Sequence, residues 1–338
     1  MKKLILAAAI ALAPLASWAE TKADTVRDVI TQHILPRYST LAETSDELAA
    51  TAQADCSAAS EALRRAYNSA FDAWIAVSHL RFGPSELNNR AFALAYWPDS
   101  RGATPKTLAA LIADADPAAN TPDTFAEISI AGRGFYALEF LLYDDQLSNM
   151  GSADYRCALV KAVTADIAAQ SRAILDDWQQ GYADTLLSPT DTSPYRSTEE
   201  VAQELFKALN VGLEFTADTR IGRPMGTFDR PRPTRAETWR SGRSLRNVVL
   251  SLNSLEDLAL RLSQSDPALA DKFKSAFANA AEIAAQLDDP VFAGAAEPQS
   301  RLHIEVLQQA VTKIRTIANT DLGPLLGVAS GFNALDGD

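Results

Sequence analysis

Apolar side chains recur at every third or fourth position along most of the chain. In residues 241–262, the positions that follow this spacing are Leu245, Val248, Val249, Leu252, Leu255, Leu258 and Leu262. The spacing places them on one face of a helix, and no long stretch alternates with the period of two that marks a strand. The pattern predicts an all-α protein with helices over residues 24–51 (interrupted at Pro36), 57–81, 124–143, 154–182, 198–215, 241–262, 266–287 and 298–318.

Residues 184–198 are the best candidate for a boundary within the chain. This run is rich in Ser, Thr, Pro and Asp, which favour connections over helices. Long helices joined by short connections most simply form antiparallel bundles. We therefore predict two helical bundles packed side by side, at residues 20–187 and 195–338.

The first nineteen residues have the three parts of a secretory signal peptide. Residues 1–3 are positively charged, residues 4–15 are apolar, and Ser17 and Ala19 form a small-x-small cleavage site. No other run approaches eighteen apolar residues, so we expect no membrane-spanning helix. The pattern predicts a signal peptide over residues 1–19 and a periplasmic or otherwise exported protein. The alternative is a cytosolic protein with an apolar N-terminal helix.

Composition narrows the class of protein without giving its function. The 338 residues include 31 Lys and Arg against 43 Asp and Glu, a net charge of -12, which argues against a nucleic-acid-binding protein. Three His and two Cys exclude a Cys-rich or His-rich zinc site. An exported protein permits a disulfide between Cys56 and Cys157, and two separate buried thiols are the alternative.

The segment from Gly134 to Glu139 is the first candidate site. On a helix, Tyr136 and Glu139 lie on one face, and the residues around Glu139 are apolar. A carboxylate buried there must be paired, hydrogen-bonded, protonated or bound to metal. A structural Tyr–Glu pair that joins helices is the alternative.

A long connection after residue 81 is the second candidate. It contains Arg81 and Glu86 on either side of a Gly-Pro helix stop, and it continues to Trp97 and Asp99. An ordered loop in a helical protein often forms part of a site. Trp97 and the following proline are equally consistent with a packing role.

The third candidate is the segment of residues 220–246, which holds eight Arg, no Lys and two acids, a local charge of +6. Arginine suits bidentate recognition of carboxylate or phosphate, and a helix that begins near Ser241 to Ser244 would attract anions. Alternatively, these arginines pair with acids of the other bundle. The residues proposed for an anion site or a domain interface are Arg220, Arg223, Ser241, Arg243 and Ser244.

The C-terminal segment is the fourth candidate. Chain ends usually fray, but Phe332 and Leu335 could anchor this one. Asn333 and Asp336 belong to the same segment, and Asp336 could accept hydrogen bonds or ligate a hard cation.

With these four motifs in this order, the chain resembles the imelysin-like family, which is also called peptidase family M75. That family includes iron-regulated proteins implicated in bacterial iron uptake. The family's signature, Gly-x-His-x-x-Glu, has been proposed to bind metal. It falls on Gly134, Tyr136 and Glu139, so Tyr136 stands where the family has histidine. By resemblance, these residues and Glu86 are expected at a metal or ligand site.

The resemblance implies a periplasmic protein of iron uptake or handling that binds a metal or small ligand between the two bundles. Iron or another metal ion is the expected cofactor, and other iron-uptake proteins of the cell envelope are expected partners. A metallopeptidase is an alternative, but we find no set of three ligands around an open position. A protein that binds an anionic ligand through residues 220–246 is the other alternative. For Tyr136, a neutral phenol is favoured over a phenolate on ferric iron.

Overall fold

The structure, a computed structural model, describes residues 22–328. Within that range, nine α-helices have ten or more residues: α1 (Leu35–Ala54), α2 (Glu61–Val77), α3 (Ala103–Asp114), α4 (Gly134–Tyr143), α5 (Ala153–Asp177), α6 (Thr198–Glu214), α7 (Ser244–Leu262), α8 (Pro267–Gln286) and α9 (Pro298–Ile317). The described residues contain no strand, apart from one isolated bridge between Thr227 and Arg230. The prediction of an all-α fold is confirmed. Residues 1–19, the predicted signal peptide, lie outside the described range.

Shorter helical segments connect the long helices. Short α-helices lie at Arg90–Leu94, Pro122–Ala126, Ala183–Leu187, Gly222–Met225 and Gly323–Leu326, and π-helical segments at Val29–Ile34, Trp178–Tyr182, Phe215–Ile221 and Ala318–Leu322. Turns of 3₁₀-helix lie at Gly83–Ser85, Leu87–Asn89, Pro117–Asn120, Ile130–Gly132, Leu147–Asn149, Pro233–Arg235 and Ala293–Ala296. Among the described helices, none combines the length and the apolar character needed to cross a bilayer.

The long helices pack in two groups, one from each half of the chain. α1 contacts α2 and α5, and α4 packs on α5, whereas α7 contacts α6 and α8, and α8 contacts α9. We call α1 to α5 the N-terminal helices and α6 to α9 the C-terminal helices. The two groups meet mainly where α7 packs on α2. The hydrophobic core continues through both groups, so the division into two bundles at residues 184–198 stays a prediction.

The first predicted helix is not interrupted at Pro36. Residues 22–28 are helical and continue through the π-helical segment Val29–Ile34 into α1, whose second residue is Pro36. The amide of Leu35 donates to the carbonyl of Ile30, five residues earlier, as in a π-helix. Because the backbone hydrogen bonds here already join residues five apart instead of four, the helix continues past Pro36, which has no N–H.

Two other predicted helices begin later than the periodicity indicates. The predicted helix over residues 124–143 is broken, because Gly134 has φ +73° and α4 begins only there. The predicted helix from residue 241 begins at Ser244, since Gly242 has φ +73° and belongs to the preceding turn. Both breaks occur at glycine, the residue that adopts positive φ most easily.

Candidate functional site

Gly134 positions the signature helix α4 against the short helix Arg90–Leu94. A Cβ atom at residue 134 would lie 2.2 Å from the carbonyl oxygen of Leu94 and 2.3 Å from that of Ala93. Only glycine permits both this approach and the positive φ. The glycine of the signature therefore has a packing role in this chain.

Tyr136 forms its hydrogen bond with the C-terminal half of the chain and not with Glu139. Its buried hydroxyl donates to Glu237 Oε1 at 2.5 Å. Burial and the nearby charge of Glu237 raise the pKa of Tyr136 well above its usual value. These contacts favour a neutral phenol.

Glu237 is the centre of a buried polar cluster. Its Oε2 accepts hydrogen bonds from Arg220 Nε at 2.9 Å and from Asn247 Nδ2 at 3.0 Å. Arg220 also donates to Ser78 Oγ at 3.0 Å, so the cluster contacts the loop after α2. The sequence analysis did not select Glu237, although it is one of only two acids among eight arginines.

Glu139 lies in the same region with a different set of partners. Its Oε1 accepts hydrogen bonds from Ser241 N at 3.0 Å and from Ser241 Oγ at 2.8 Å. No described hydrogen bond reaches its Oε2. Burial raises the pKa of Glu139 to about 7, although the bonds from Ser241 and the charge of Arg240 oppose the shift.

The hydroxyl of Tyr67, on α2, is buried and makes no hydrogen bond of standard geometry among the described residues, although the Ser241 side chain lies near enough to lower the pKa of Tyr67 slightly. Its pKa is raised well above the usual value by burial and by the charge of Glu139. The site thus contains a buried donor without an acceptor and a carboxylate with one free oxygen. Buried polar groups without partners are uncommon in proteins and often mark a place for a ligand or water.

Trp97 forms one side of the cluster. Its ring stacks on Tyr136 with centroids 6.1 Å apart and meets Phe215 edge-on at 5.8 Å. The guanidinium carbon of Arg223 lies 5.9 Å from the Trp97 ring centroid. The structure therefore brings Trp97 from the second candidate together with Tyr136 from the first and Arg223 from the third.

Arg243 and Ser244 hold the start of α7. Arg243 Nη1 donates to Asn68 Oδ1 at 2.9 Å, and its Nη2 pairs with Asp72 on α2. Ser244 Oγ donates to the backbone carbonyl of Glu237 at 2.7 Å. Arg243 therefore joins the start of α7 to α2, whereas the contact of Ser244 lies within the C-terminal half.

Several other predicted residues lie apart from the cluster. Glu86 pairs with Arg81, with 2.6 Å between Oε1 and Nε, and no described contact joins it to Glu139. Asp99 caps α3, and although burial opposes it, hydrogen bonds from backbone amides hold the pKa of Asp99 below its usual value. A disulfide joins Cys56 to Cys157. Asn333 and Asp336 lie outside the described residues.

A second buried cluster, not predicted from the sequence, lies where α7 meets the N-terminal helices. His33 Nε2 and His79 Nε2 are 3.0 Å apart, and His33 Nδ1 lies 2.8 Å from Asp257 Oδ2 on α7. Burial lowers the pKa of His33 to about 4 and that of His79 well below its usual value. The three residues are far apart in sequence, so their spacing gave no signal.

The donor atoms around Tyr136 do not fit a zinc or ferrous iron centre. The Tyr136 hydroxyl and both oxygens of Glu237 are already hydrogen-bonded, and Arg220 balances the charge of Glu237. No group of three His, Cys, Asp or Glu side chains able to hold a metal occurs within residues 22–328. A catalytic zinc ion usually has three such ligands and an open position.

Comparison with known proteins identifies the fold and the family. An imelysin-like protein from Psychrobacter arcticum 273-4 has a TM-score of 0.78 and 24% identity, over 97% of this chain and 100% of that chain. A protein from Parabacteroides distasonis ATCC 8503, described as an iron-regulated protein A precursor, has a TM-score of 0.73 and 14% identity, over 91% and 95%. No curated protein sequence matches. The family sequence model named imelysin, Peptidase M75, matches residues 34–318, so the chain belongs to the imelysin family.

Proposed function

We propose that this is an exported protein that binds a small ligand between its N-terminal and C-terminal helices and serves iron uptake or handling. The leader-like residues 1–19 support export. Family membership and the description of the Parabacteroides distasonis protein support the connection with iron. Other iron-uptake proteins of the cell envelope are its expected partners.

The observation that carries the proposal is the buried Tyr67 hydroxyl without a hydrogen bond, in a region where the charge of Glu139, which has one free oxygen, acts on it. A buried hydroxyl without a partner costs about 1–3 kcal/mol, and a ligand that bonds to both groups would recover part of that free energy. Because the pKa of Glu139 is about 7, its carboxyl can donate or accept a proton near neutral pH. The two groups come from α2 and α4, and Ser241 holds Glu139 from the C-terminal half.

We infer that iron binds as a chelate and not as a bare ion. The donors around Tyr136 are occupied by protein partners, and Arg220 adds a positive charge that repels a cation. An iron chelate with free carboxylate groups avoids both problems, because its own ligands surround the metal. The same observations disfavour a zinc-peptidase mechanism.

Equilibrium dialysis with ferric citrate tests this function in the full-length mature protein. We expect saturable binding that weakens in Glu139→Gln and in Tyr67→Phe. Glu282→Gln, which changes an exposed glutamate on α8, is the matched control and should bind normally. Absence of ferric citrate binding would contradict the proposal, as would binding that is unaffected by both site variants.

Zinc binding and peptide hydrolysis test the alternatives. We expect no zinc-dependent hydrolysis of unstructured peptides and only weak affinity for free Zn²⁺. Micromolar or tighter Zn²⁺ binding that is lost in Tyr136→Phe would show that Tyr136 is a metal ligand and would overturn the proposal. A visible absorption band on addition of ferric ions, lost in the same variant, would instead identify a phenolate complex.

A further inference from the structure

The arginines of residues 220–246 fall into two sets. Four of them pair with acids: Arg220 with Glu237, Arg240 with Asp144, and both Arg243 and Arg246 with Asp72. The other four have no acidic partner within residues 22–328, and they are Arg223, Arg230, Arg232 and Arg235. Glu237 belongs to the same segment as Arg220, so only Arg240, Arg243 and Arg246, three of the eight arginines, pair with acids of the N-terminal half.

Arg223 differs from the other arginines without acidic partners because it is partly buried. Its Nε is shielded from solvent and has no hydrogen-bond partner among the described residues. Its guanidinium carbon lies 5.9 Å from the ring centroid of Trp97. A buried donor of this kind is unfavourable unless something outside the described contacts satisfies it.

Arg235 carries a second positive charge close to Arg223. The turn Pro233–Arg235 packs on the short helix Gly222–Met225, and Arg232 N donates to Pro224 O at 2.9 Å, which holds the two segments together. Burial and the charge of Arg235 both lower the pKa of Arg223. Guanidinium groups without a counter-charge suit the recognition of oxyanions, so two such charges that act on each other favour an oxyanion site here.

Aromatic contacts connect Arg223 to the cluster around Glu237. Trp97, which faces Arg223, also stacks on Tyr136, and Tyr136 donates to Glu237. Ring contacts and a hydrogen bond therefore link Arg223 to the cluster around Glu237, and no described contact joins Arg223 directly to Glu139 or Tyr67. The chain as a whole has a net charge of -12, so this local positive charge is not a general property of its surface.

We propose that Arg223 and Arg235, with Trp97 as the adjoining wall, form an oxyanion-binding subsite that takes a carboxylate or phosphate group of a small ligand. The guanidinium of Arg223 donates to the oxyanion, and Arg235 supplies the second charge from the exposed side. This assignment rests on the proposed function, because it names the chemical group by which a chelate such as ferric citrate is held. The subsite itself requires no iron.

Titration calorimetry with citrate and with inorganic phosphate, both free of metal, tests the subsite. We expect Arg223→Gln to weaken binding about tenfold or more, Arg235→Gln to weaken it less, and Arg223→Lys to restore only part of the affinity. Arg230→Gln, which removes an exposed arginine without an acidic partner from the same loop, is the matched control and should bind normally. Preference for citrate or phosphate shows which oxyanion the subsite takes.

Two results would overturn the subsite. The first is no binding of either anion, and the second is equal affinity in Arg223→Gln, Arg230→Gln and the unchanged protein. Citrate binding that depends on Arg223, together with ferric citrate binding that does not depend on Glu139, would keep the subsite and refute the proposed function.

Discussion

Two buried glutamates within one cluster have different electrostatic surroundings. Glu237 lies against the guanidinium of Arg220, which balances its charge, and it also accepts bonds from two neutral groups. Glu139 accepts only from the neutral donors of Ser241, and the charge of Arg240 does not overcome the effect of burial. Burial without a paired positive charge therefore explains why Glu139 is suited to change its protonation near neutral pH.

The first prediction concerns Glu139. Its pKa is about 7 in the folded protein against an ordinary value of 4.5, so the folded state binds more protons in this interval and its stability falls as pH rises from 4.5 to 7. We expect Glu139→Gln to remove this loss, which is worth about 3 kcal/mol at most. Urea unfolding of both proteins at pH 5 and pH 8 measures it. A stability difference between them that is the same at both pH values would contradict the assignment.

The second prediction concerns Tyr136. Tyr136→Phe leaves Glu237 Oε1 without its donor in a buried site, and we expect a loss of about 1–3 kcal/mol in the free energy of unfolding. Tyr96→Phe is the control, because the Tyr96 hydroxyl makes no hydrogen bond within the described residues. Denaturant unfolding at pH 7 compares the two variants. Equal stability of both would show that the bond to Glu237 contributes nothing.

At the residue scale, the sequence predicted that Glu139 is buried but not what it contacts. The apolar residues on either side of Glu139 were sufficient to predict that its carboxylate is buried. Its partner Ser241 is 102 positions away, and Glu237 is 101 positions from Tyr136. Periodicity describes only local structure, so it contains no information about contacts over such distances.

At the scale of elements, glycines determine where the helices around the site begin. The apolar periodicity continues from residue 124 to residue 143, which is why the sequence predicts a single helix there. The structure breaks it at Gly134, where the positive φ and the carbonyls of Ala93 and Leu94 exclude any side chain. A steric requirement of this kind cannot be detected from hydrophobic spacing.

The third prediction follows from that steric requirement. Gly134→Ala places a Cβ within 2.3 Å of two backbone oxygens, which cannot move as a flexible side chain would. We expect a loss of more than about 3 kcal/mol in the free energy of unfolding. Gly102→Ala is the matched control, because Gly102 also has positive φ but has no atom within 4 Å of the added carbon. The control should lose about 1–2 kcal/mol, and a similar loss in both variants would contradict the steric explanation.

At the scale of the whole molecule, polar contacts join the N-terminal and C-terminal helices at several separate points. Arg243 and Arg246 from the C-terminal half pair with Asp72 on α2, and Arg240 pairs with Asp144. Asp257 on α7 bonds to His33 and pairs with Arg37. The all-α class was predictable because it depends on local periodicity, whereas these connections depend on how the helices pack.

The fourth prediction concerns the buried pair of His33 and His79. Both are neutral in the folded protein, since burial and the charge of Arg37 hold their pKa values below the ordinary 6.5, at about 4 for His33. The unfolded chain therefore binds more protons between pH 4 and pH 6.5, and the stability that is complete above pH 6.5 is lost as pH falls through this interval. For His33 the loss is about 3 kcal/mol.

Unfolding experiments on histidine variants measure this contribution. We expect His79→Gln and His33→Gln to lose less stability than the unchanged protein when pH is lowered from 7 to 4.5. His303→Gln, which changes an exposed histidine on α9, should show the same pH dependence as the unchanged protein. Glu139 has the opposite dependence between pH 4.5 and pH 7, so each histidine variant is compared with the unchanged protein at the same pH. The same pH dependence of stability in all three histidine variants would contradict this prediction. It would show that the buried pair does not cause the loss of stability in acid.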